Sequence, residues 1–150
     1  MLIYFPAQQN MPANTNQNLL LFSRNVNLNM MKKRILIFDD DVEILEVLNI
    51  IFTELGCQVE VSQFSDNVLT RLNNYQPDLV LMDNLMPPVS GADAVQTIRK
   101  SFLFSHIPVI LITACPDTAT LCKKAGADGF LMKPFNINDL ENLVKLHLML

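Results

Sequence analysis

The chain has 150 residues, half of them hydrophobic, and a formal net charge of −4 at pH 7. That length suits one domain that buries most of its apolar surface, and it excludes two large domains. The only basic run is Lys32-Lys33-Arg34, so the sequence lacks the electrostatic footprint of a protein that binds nucleic acid.

The cysteines are Cys57, Cys115 and Cys122, an odd number without a CxxC pair. This usage argues against both a disulfide framework and a zinc site. Reduced thiols are typical of cytoplasmic proteins, and we therefore expect a cytoplasmic location.

Residues 1–31 differ in composition from the rest of the chain. They are rich in Asn and Gln, and Arg24 carries their only formally charged side chain. Their apolar runs are far shorter than the roughly 20 residues that span a bilayer, so we expect no membrane segment. The composition predicts a flexible extension ahead of a domain at residues 32–150. Met30 and Met31 directly precede that domain, and either is a candidate translation start that would leave the extension unmade.

From residue 32 onward, short apolar runs alternate with stretches of helical periodicity. The apolar runs predict five strands, at residues 35–38, 57–61, 78–83, 108–113 and 129–133. Apolar spacings of three and four predict helices at residues 42–55, 65–74, 92–101, 117–125 and from 136 to the chain end. Ser65 is the expected N-cap of the second helix, and Asn136 or Asn138 that of the last. The alternation predicts a parallel sheet covered by helices on both faces.

Polar side chains follow the first, third, fourth and fifth predicted strands. The carboxyl ends of parallel strands share one edge of a sheet, where ligands bind. The side chains expected at that edge are those of Asp39, Asp40, Asp41, Asp83, Thr113 and Lys133.

These residue types favour phosphoryl chemistry assisted by a metal. Two carboxylates 4 Å apart repel by about 4 kcal/mol at an effective dielectric near 20, and a cation between them relieves that repulsion. Carboxylate oxygens suit Mg²⁺, and one carboxylate can act as nucleophile toward a phosphoryl group. A cation such as Lys133 and a hydroxyl such as Thr113 would then stabilise charge on the transferring oxygens.

Five motifs carry a resemblance to a known family over about residues 32–150. They are ILIFDDD at 35–41, LMDNLMP at 81–87, Gly91, PVILITA at 108–114 and FLMKPF at 130–135. In this order and spacing the chain resembles the receiver domain of two-component response regulators. The resemblance implies a flavodoxin-like (βα)5 fold, a doubly wound parallel sheet with strand order 2-1-3-4-5.

The resemblance also implies a phosphoacceptor and a metal site. Asp83 would accept a phosphoryl group from a phosphohistidine of a sensor histidine kinase or a histidine phosphotransfer protein. Mg²⁺ would be held by Asp39, Asp40, Asp83 and the backbone carbonyl of Leu85. Asp41 falls outside this set, and we expect it to stabilise the start of the first helix.

The same resemblance assigns residues that read the phosphoryl group. Thr113 and Phe130 would be the switch residues, and Lys133 would pair with the phosphate. The peptide bond between Lys133 and Pro134 would be cis.

We expect the domain to act alone, as a receiver that signals by protein–protein contact. No sequence remains for a DNA-binding output domain, and the family commonly signals through the surface of the fourth helix, fifth strand and fifth helix. The last helix is more apolar than one buried face requires; the excess is either fraying at the chain end or an apolar patch for a partner or for a second copy in a homodimer. Such a protein catalyses only its own phosphorylation and dephosphorylation and is not otherwise an enzyme.

Two alternatives remain open. One is a HAD-like magnesium-dependent phosphohydrolase, a class that typically carries a DxD pair on its first strand with the nucleophile inside it. The other is a receiver that binds partners but is never phosphorylated. Steady release of phosphate from small phosphoesters would favour the first alternative.

Overall fold

The structure is a computed structural model that describes residues 32–150. Lys33–Leu150 form one compact unit. The predicted flexible extension at residues 1–31 and the proposed start at Met30 or Met31 lie outside the described residues. Within residues 32–150, no helix has both the length and the apolar character needed to cross a membrane.

Strands and helices alternate along the described residues. The strands are β1 (Arg34–Phe38), β2 (Gln58–Ser62), β3 (Leu79–Asp83), β4 (Val109–Thr113) and β5 (Gly129–Met132). The helices are α1 (Val42–Glu54), α2 (Val68–Tyr75), α3 (Gly91–Lys100), α4 (Thr118–Ala125) and α5 (Ile137–Leu148). All strand pairs are parallel and the order is β2-β1-β3-β4-β5. The predicted flavodoxin-like fold is therefore confirmed.

The central strands are buried on both faces, which explains their uninterrupted apolar sequences. In β1, Leu36 and Phe38 face a cluster that includes side chains of α2, α3 and α4. Ile35 and Ile37 face a second cluster, which includes side chains of α1 and α5. Because helices cover both faces, the carboxyl edge of the sheet is left as the place where polar groups can meet.

Helix starts follow capping chemistry at three of the five helices. Asp41 is the N-cap of α1, and its carboxylate accepts the N–H of Glu43 at 2.9 Å. Ser90 caps α3, and Asn136 rather than Asn138 caps α5. Asp41 was expected to stabilise the start of the first helix, and its side chain does so.

The prediction that Ser65 caps the second helix is wrong. That helix begins at Val68 with Asn67 as its N-cap residue. Ser65 is buried, and its hydroxyl donates a 2.7 Å hydrogen bond to the carbonyl of Val89. A local capping rule missed this role because the acceptor lies 24 residues away in sequence.

Candidate functional site

Strand register places two acidic residues side by side at the carboxyl edge of the sheet. In the pairing of β1 with β3, Phe38 lies opposite Met82, and the next residues are Asp39 and Asp83. Asp39 is 1% exposed and Asp83 is 2% exposed, whereas Asp40 is exposed. Two buried carboxylates in adjacent positions require positive charge nearby.

Three of the predicted metal ligands come together. Asp39, Asp40 and Asp83 each offer a carboxylate oxygen, and these oxygens lie within 4.8 Å of one another. A set of carboxylate oxygens is the donor chemistry that Mg²⁺ prefers, so the residues fit this cation. The role of the Leu85 carbonyl as a further ligand stays a prediction.

Lys133 supplies positive charge to the same cluster. Its Nζ lies 2.7 Å from Oδ1 of Asp83 and 3.0 Å from Oδ2 of Asp39. The residue directly follows β5, and its backbone N–H donates to the carbonyl of Thr113 at 2.8 Å. The end of the fifth strand therefore places the Lys133 ammonium group in contact with both Asp39, which follows β1, and Asp83, which ends β3.

The electrostatics of Asp39 and Lys133 reflect this arrangement. Burial raises the pKa of Asp39, and hydrogen bonds from the Asp41 N–H and from Lys133 oppose the rise only in part. Burial by itself would lower the pKa of Lys133, but hydrogen bonds to Asp83 and Asp39 outweigh it and raise that pKa. The lysine is thus held in its charged form by the carboxylates that it joins.

The two oxygens of Asp83 have different partners. Oδ1 contacts Lys133, whereas Oδ2 accepts the backbone N–H of Leu85 at 2.7 Å. The carboxylate is therefore fixed in orientation, with a donor already beside each oxygen. A group bound to this carboxylate would lie among the same donors, which is the arrangement that stabilises developing negative charge.

The predicted switch residues occupy neighbouring strands. Thr113 ends β4 and is 1% exposed, and its Oγ1 accepts the N–H of Cys115 at 3.0 Å. Phe130 lies in β5 and is 44% exposed. The Lys133–Pro134 peptide bond is cis, the conformation that the resemblance implies.

Sequence reasoning missed Asn84, the residue after Asp83. Its carbonyl accepts the N–H of Gly91 at 3.0 Å, and its Oδ1 accepts the N–H of Ala92 at 3.1 Å. A Cβ atom at Gly91 would overlap the carbonyl oxygen of Asp83. The start of α3 therefore lies directly against the end of β3. No local sequence signal identifies this role, because Asn84 lies seven residues before the start of α3 and Ser90 occupies its N-cap position.

Asp41 bears on the phosphohydrolase alternative. In a DxD arrangement on the first strand, Asp39 and Asp41 would be the acidic pair, and one of the two would be the nucleophile. Asp41 instead accepts two backbone N–H groups at the start of α1. The carboxylate that ends the third strand, that of Asp83, is buried and contacts Lys133.

Comparison with known proteins agrees with this geometry. The family model described as "Response regulator receiver domain" matches residues 35–145. The DNA-binding response regulator MtrA of Mycobacterium tuberculosis is 33% identical over 123 residues, which is 81% of this chain and 53% of that protein. The chain thus spans about half the length of the curated relatives it matches.

Solved structures show the same similarity. A CheY-like response regulator receiver domain protein from Methanospirillum hungatei is 31% identical, with a TM-score of 0.72, over 79% of this chain and 94% of that one. The receiver domain of a signal transduction histidine kinase from Syntrophus aciditrophicus is also 31% identical, with a TM-score of 0.73, over 78% and 90% of the two chains. Fold, site and family match agree, and the chain belongs to the response regulator receiver domain family.

Proposed function

We propose that the protein accepts a phosphoryl group onto Asp83 from a phosphohistidine of a sensor histidine kinase or a histidine phosphotransfer protein, with Mg²⁺ as cofactor. The observation that carries this proposal is the placement of Asp83, buried and held between Lys133 and the Leu85 N–H beside two further carboxylates. The protein acts on no other substrate, and its chemistry ends with its own dephosphorylation.

In the transfer, a carboxylate oxygen of Asp83 forms a bond to phosphorus while the P–N bond of the phosphohistidine breaks. The bonding electron pair returns to the imidazole nitrogen, and a proton already on the other ring nitrogen lets the ring leave as neutral imidazole. When bound by Asp39, Asp40 and Asp83, Mg²⁺ supplies positive charge that offsets the charge on the phosphoryl oxygens.

The chain's own donors then stabilise the transferred group. Lys133 is already 2.7 Å from Asp83 and is placed to pair with a phosphoryl oxygen. The Leu85 N–H is the same distance from the other carboxylate oxygen. Thr113 ends the neighbouring strand and supplies the switch hydroxyl, and Phe130 is the aromatic switch residue. Phosphorylation of Asp83 biases a pre-existing equilibrium between two conformations.

Output from residues 32–150 is proposed to pass through the face formed by α4, β5 and α5. Phe130 and Met132 in β5 are 44% and 52% exposed, and Leu146 in α5 is 72% exposed. Exposed apolar side chains of this kind support a protein partner or a homodimer rather than nucleic acid. The three free thiols support a cytoplasmic location.

Phosphoramidate tests the proposal because it carries the same P–N bond as phosphohistidine. We expect one added phosphoryl group by intact mass with Mg²⁺ and none with EDTA. A protein that gains no phosphoryl group under either condition would support the alternative of a receiver that binds partners but is never phosphorylated. Continuous hydrolysis of p-nitrophenyl phosphate would support the phosphohydrolase.

A further inference from the structure

Residues 84–90 connect β3 to α3, and the first residue of this segment, Asn84, is hydrogen-bonded to the start of α3. Two N–H groups at the start of α3, those of Gly91 and Ala92, are bonded to the carbonyl and to Oδ1 of Asn84. The first N–H groups of a helix have no acceptor within the helix, so an outside oxygen must take them. One residue, directly after Asp83, satisfies two of them.

This contact is more than an ordinary helix cap. Ser90 already occupies the N-cap position of α3, and its hydroxyl oxygen accepts the N–H of Asp93 at 3.2 Å. The bond from Ala92 to Asn84 therefore adds a tether between the helix and the strand end. It closes the segment into a loop whose two ends are joined.

Ser65 holds the far end of the same segment. Its side chain is buried at 1% exposure, and its hydroxyl donates to the Val89 carbonyl at 2.7 Å. Within the segment, Met86 is also buried, at 4% exposure. The loop that follows the phosphoacceptor is thus fixed by a side chain at each end and by an apolar anchor between them.

The fixed segment contains the peptide that contacts Asp83. The N–H of Leu85 donates to Oδ2 of Asp83, while Lys133 contacts Oδ1. A shift of Leu85 would remove one of the two contacts that orient the carboxylate. Misplacement of a reacting group by about 1 Å can slow a reaction a hundredfold.

We propose that Asn84 and Ser65 are positioning residues for phosphoryl transfer, which hold the Leu85 peptide against the Asp83 carboxylate from the two ends of the loop. The proposal rests on the function proposed above for Asp83. Neither side chain touches the phosphoryl group; both act through the segment that they hold.

The test compares Asn84→Leu and Ser65→Ala with the wild type by two measurements. One is hydrogen exchange of the Leu85 amide in the metal-free protein, and the other is the rate of phosphorylation by acetyl phosphate at saturating Mg²⁺. We expect exchange to be about tenfold faster in both variants because the loop opens more often. We expect phosphorylation to be about tenfold slower because the carboxylate is less well oriented.

Two further variants separate positioning from general destabilisation. Asn84→Asp keeps an oxygen that accepts the Ala92 N–H, and we expect it to restore wild-type exchange of the Leu85 amide. Asn67→Leu makes the same kind of change at the start of α2, where the Asn67 side chain makes no capping hydrogen bond. We expect that control to match the wild type in both measurements.

Folded Asn84→Leu and Ser65→Ala proteins with wild-type exchange and wild-type phosphorylation would overturn the proposal. If Asn84→Leu fails to fold, Ser65→Ala decides the question by the same two measurements. A wild-type protein that takes no phosphoryl group would overturn the proposed function and the transfer role together. The exchange rates would then still report whether the two side chains hold the loop, so the two failures are distinguishable.

Discussion

The ammonium nitrogen of Lys133 lies 2.7 Å from Oδ1 of Asp83, and the same nitrogen lies 3.0 Å from Asp39. The lysine thereby offsets part of the repulsion between two buried carboxylates. A divalent cation bound by Asp39, Asp40 and Asp83 would have the same effect from the same cluster. Such a cation would therefore compete electrostatically with Lys133 for one group of negative charges.

The first prediction concerns Lys133→Met. Without the ammonium group the carboxylates of Asp39 and Asp83 repel each other. We therefore expect the free energy of unfolding of the metal-free protein to fall by about 1–3 kcal/mol. This value takes into account that the lysine is partly exposed to solvent, which weakens its interactions. We also expect tighter binding of Mg²⁺, which should restore part of the loss in urea unfolding.

Lys145→Met is the control for that measurement. Lys145 pairs with Glu141 one turn earlier in α5 at 3.1 Å, and its side chain is 39% exposed. Such a pair contributes at most about 0.5 kcal/mol, and Mg²⁺ should not change the effect of its loss. Equal recovery of both variants in Mg²⁺ would argue against competition at Lys133.

The second prediction separates two adjacent carboxylates. Asp40 belongs to the acidic cluster, whereas Asp41 caps α1. We expect Asp40→Asn to weaken Mg²⁺ binding at least about tenfold, as is typical of a disturbed metal site. Asp41→Asn keeps a capping oxygen and should change Mg²⁺ affinity by no more than about twofold. Calorimetric titration with Mg²⁺ measures both; the reverse ranking would remove Asp40 from the site.

The third prediction concerns Gly91 at the start of α3. A methyl group there would overlap the carbonyl oxygen of Asp83, so Gly91→Ala should cost about 3 kcal/mol in unfolding free energy. Gly56→Ala is the comparison, because Gly56 has a φ of +85° but open space around it. That variant should lose only about 1 kcal/mol from its backbone conformation. Chemical denaturation of the two proteins gives the comparison, and similar losses would contradict the close approach of α3 to β3.

The fourth prediction is a pH dependence of stability at Tyr75. Burial, assisted by the negative charge of Glu60, raises the pKa of its hydroxyl to about 12. The folded state therefore holds this proton more tightly than the unfolded state, where the pKa is about 10. Below pH 10 the hydroxyl is protonated in both states, and its ionisation does not change the free energy of unfolding. As the pH rises from 10 toward 12, the unfolded state loses the proton first, and the free energy of unfolding therefore falls.

Tyr75→Phe removes that dependence. Among the described residues the Tyr75 hydroxyl has no hydrogen-bond partner, so the variant should be at least as stable as the wild type at neutral pH. Between about pH 9 and pH 11 the wild type should lose about 1 kcal/mol more than the variant. Urea unfolding at the two pH values measures the difference, and parallel losses would show that the hydroxyl does not titrate with unfolding.

Much of the fold was readable from the sequence because buried parallel strands have a simple pattern. The apolar runs located all five strands to within a residue or two, and the polar residues after them marked the correct edge of the sheet. The strand order came from the family resemblance, since apolar periodicity alone does not say which strands are neighbours.

The residues that prediction missed depend on contacts between distant parts of the chain. Ser65 carries a helix-capping side chain, but its hydroxyl bonds to a carbonyl in another loop. Asn84 stands beside an obvious acidic residue, and its role appears only once α3 is packed against β3. Local rules cannot rank a capping bond against a tertiary bond of similar strength.

Intact mass spectrometry of the wild type and Asp83→Asn, each incubated with acetyl phosphate and Mg²⁺, tests the central claim most directly. The carboxylate of Asp83 is the proposed nucleophile, and an amide cannot replace it in the transfer. We predict that the wild type gains one phosphoryl group and that Asp83→Asn gains none. Addition of a phosphoryl group to the variant at the wild-type rate would contradict the assignment of Asp83.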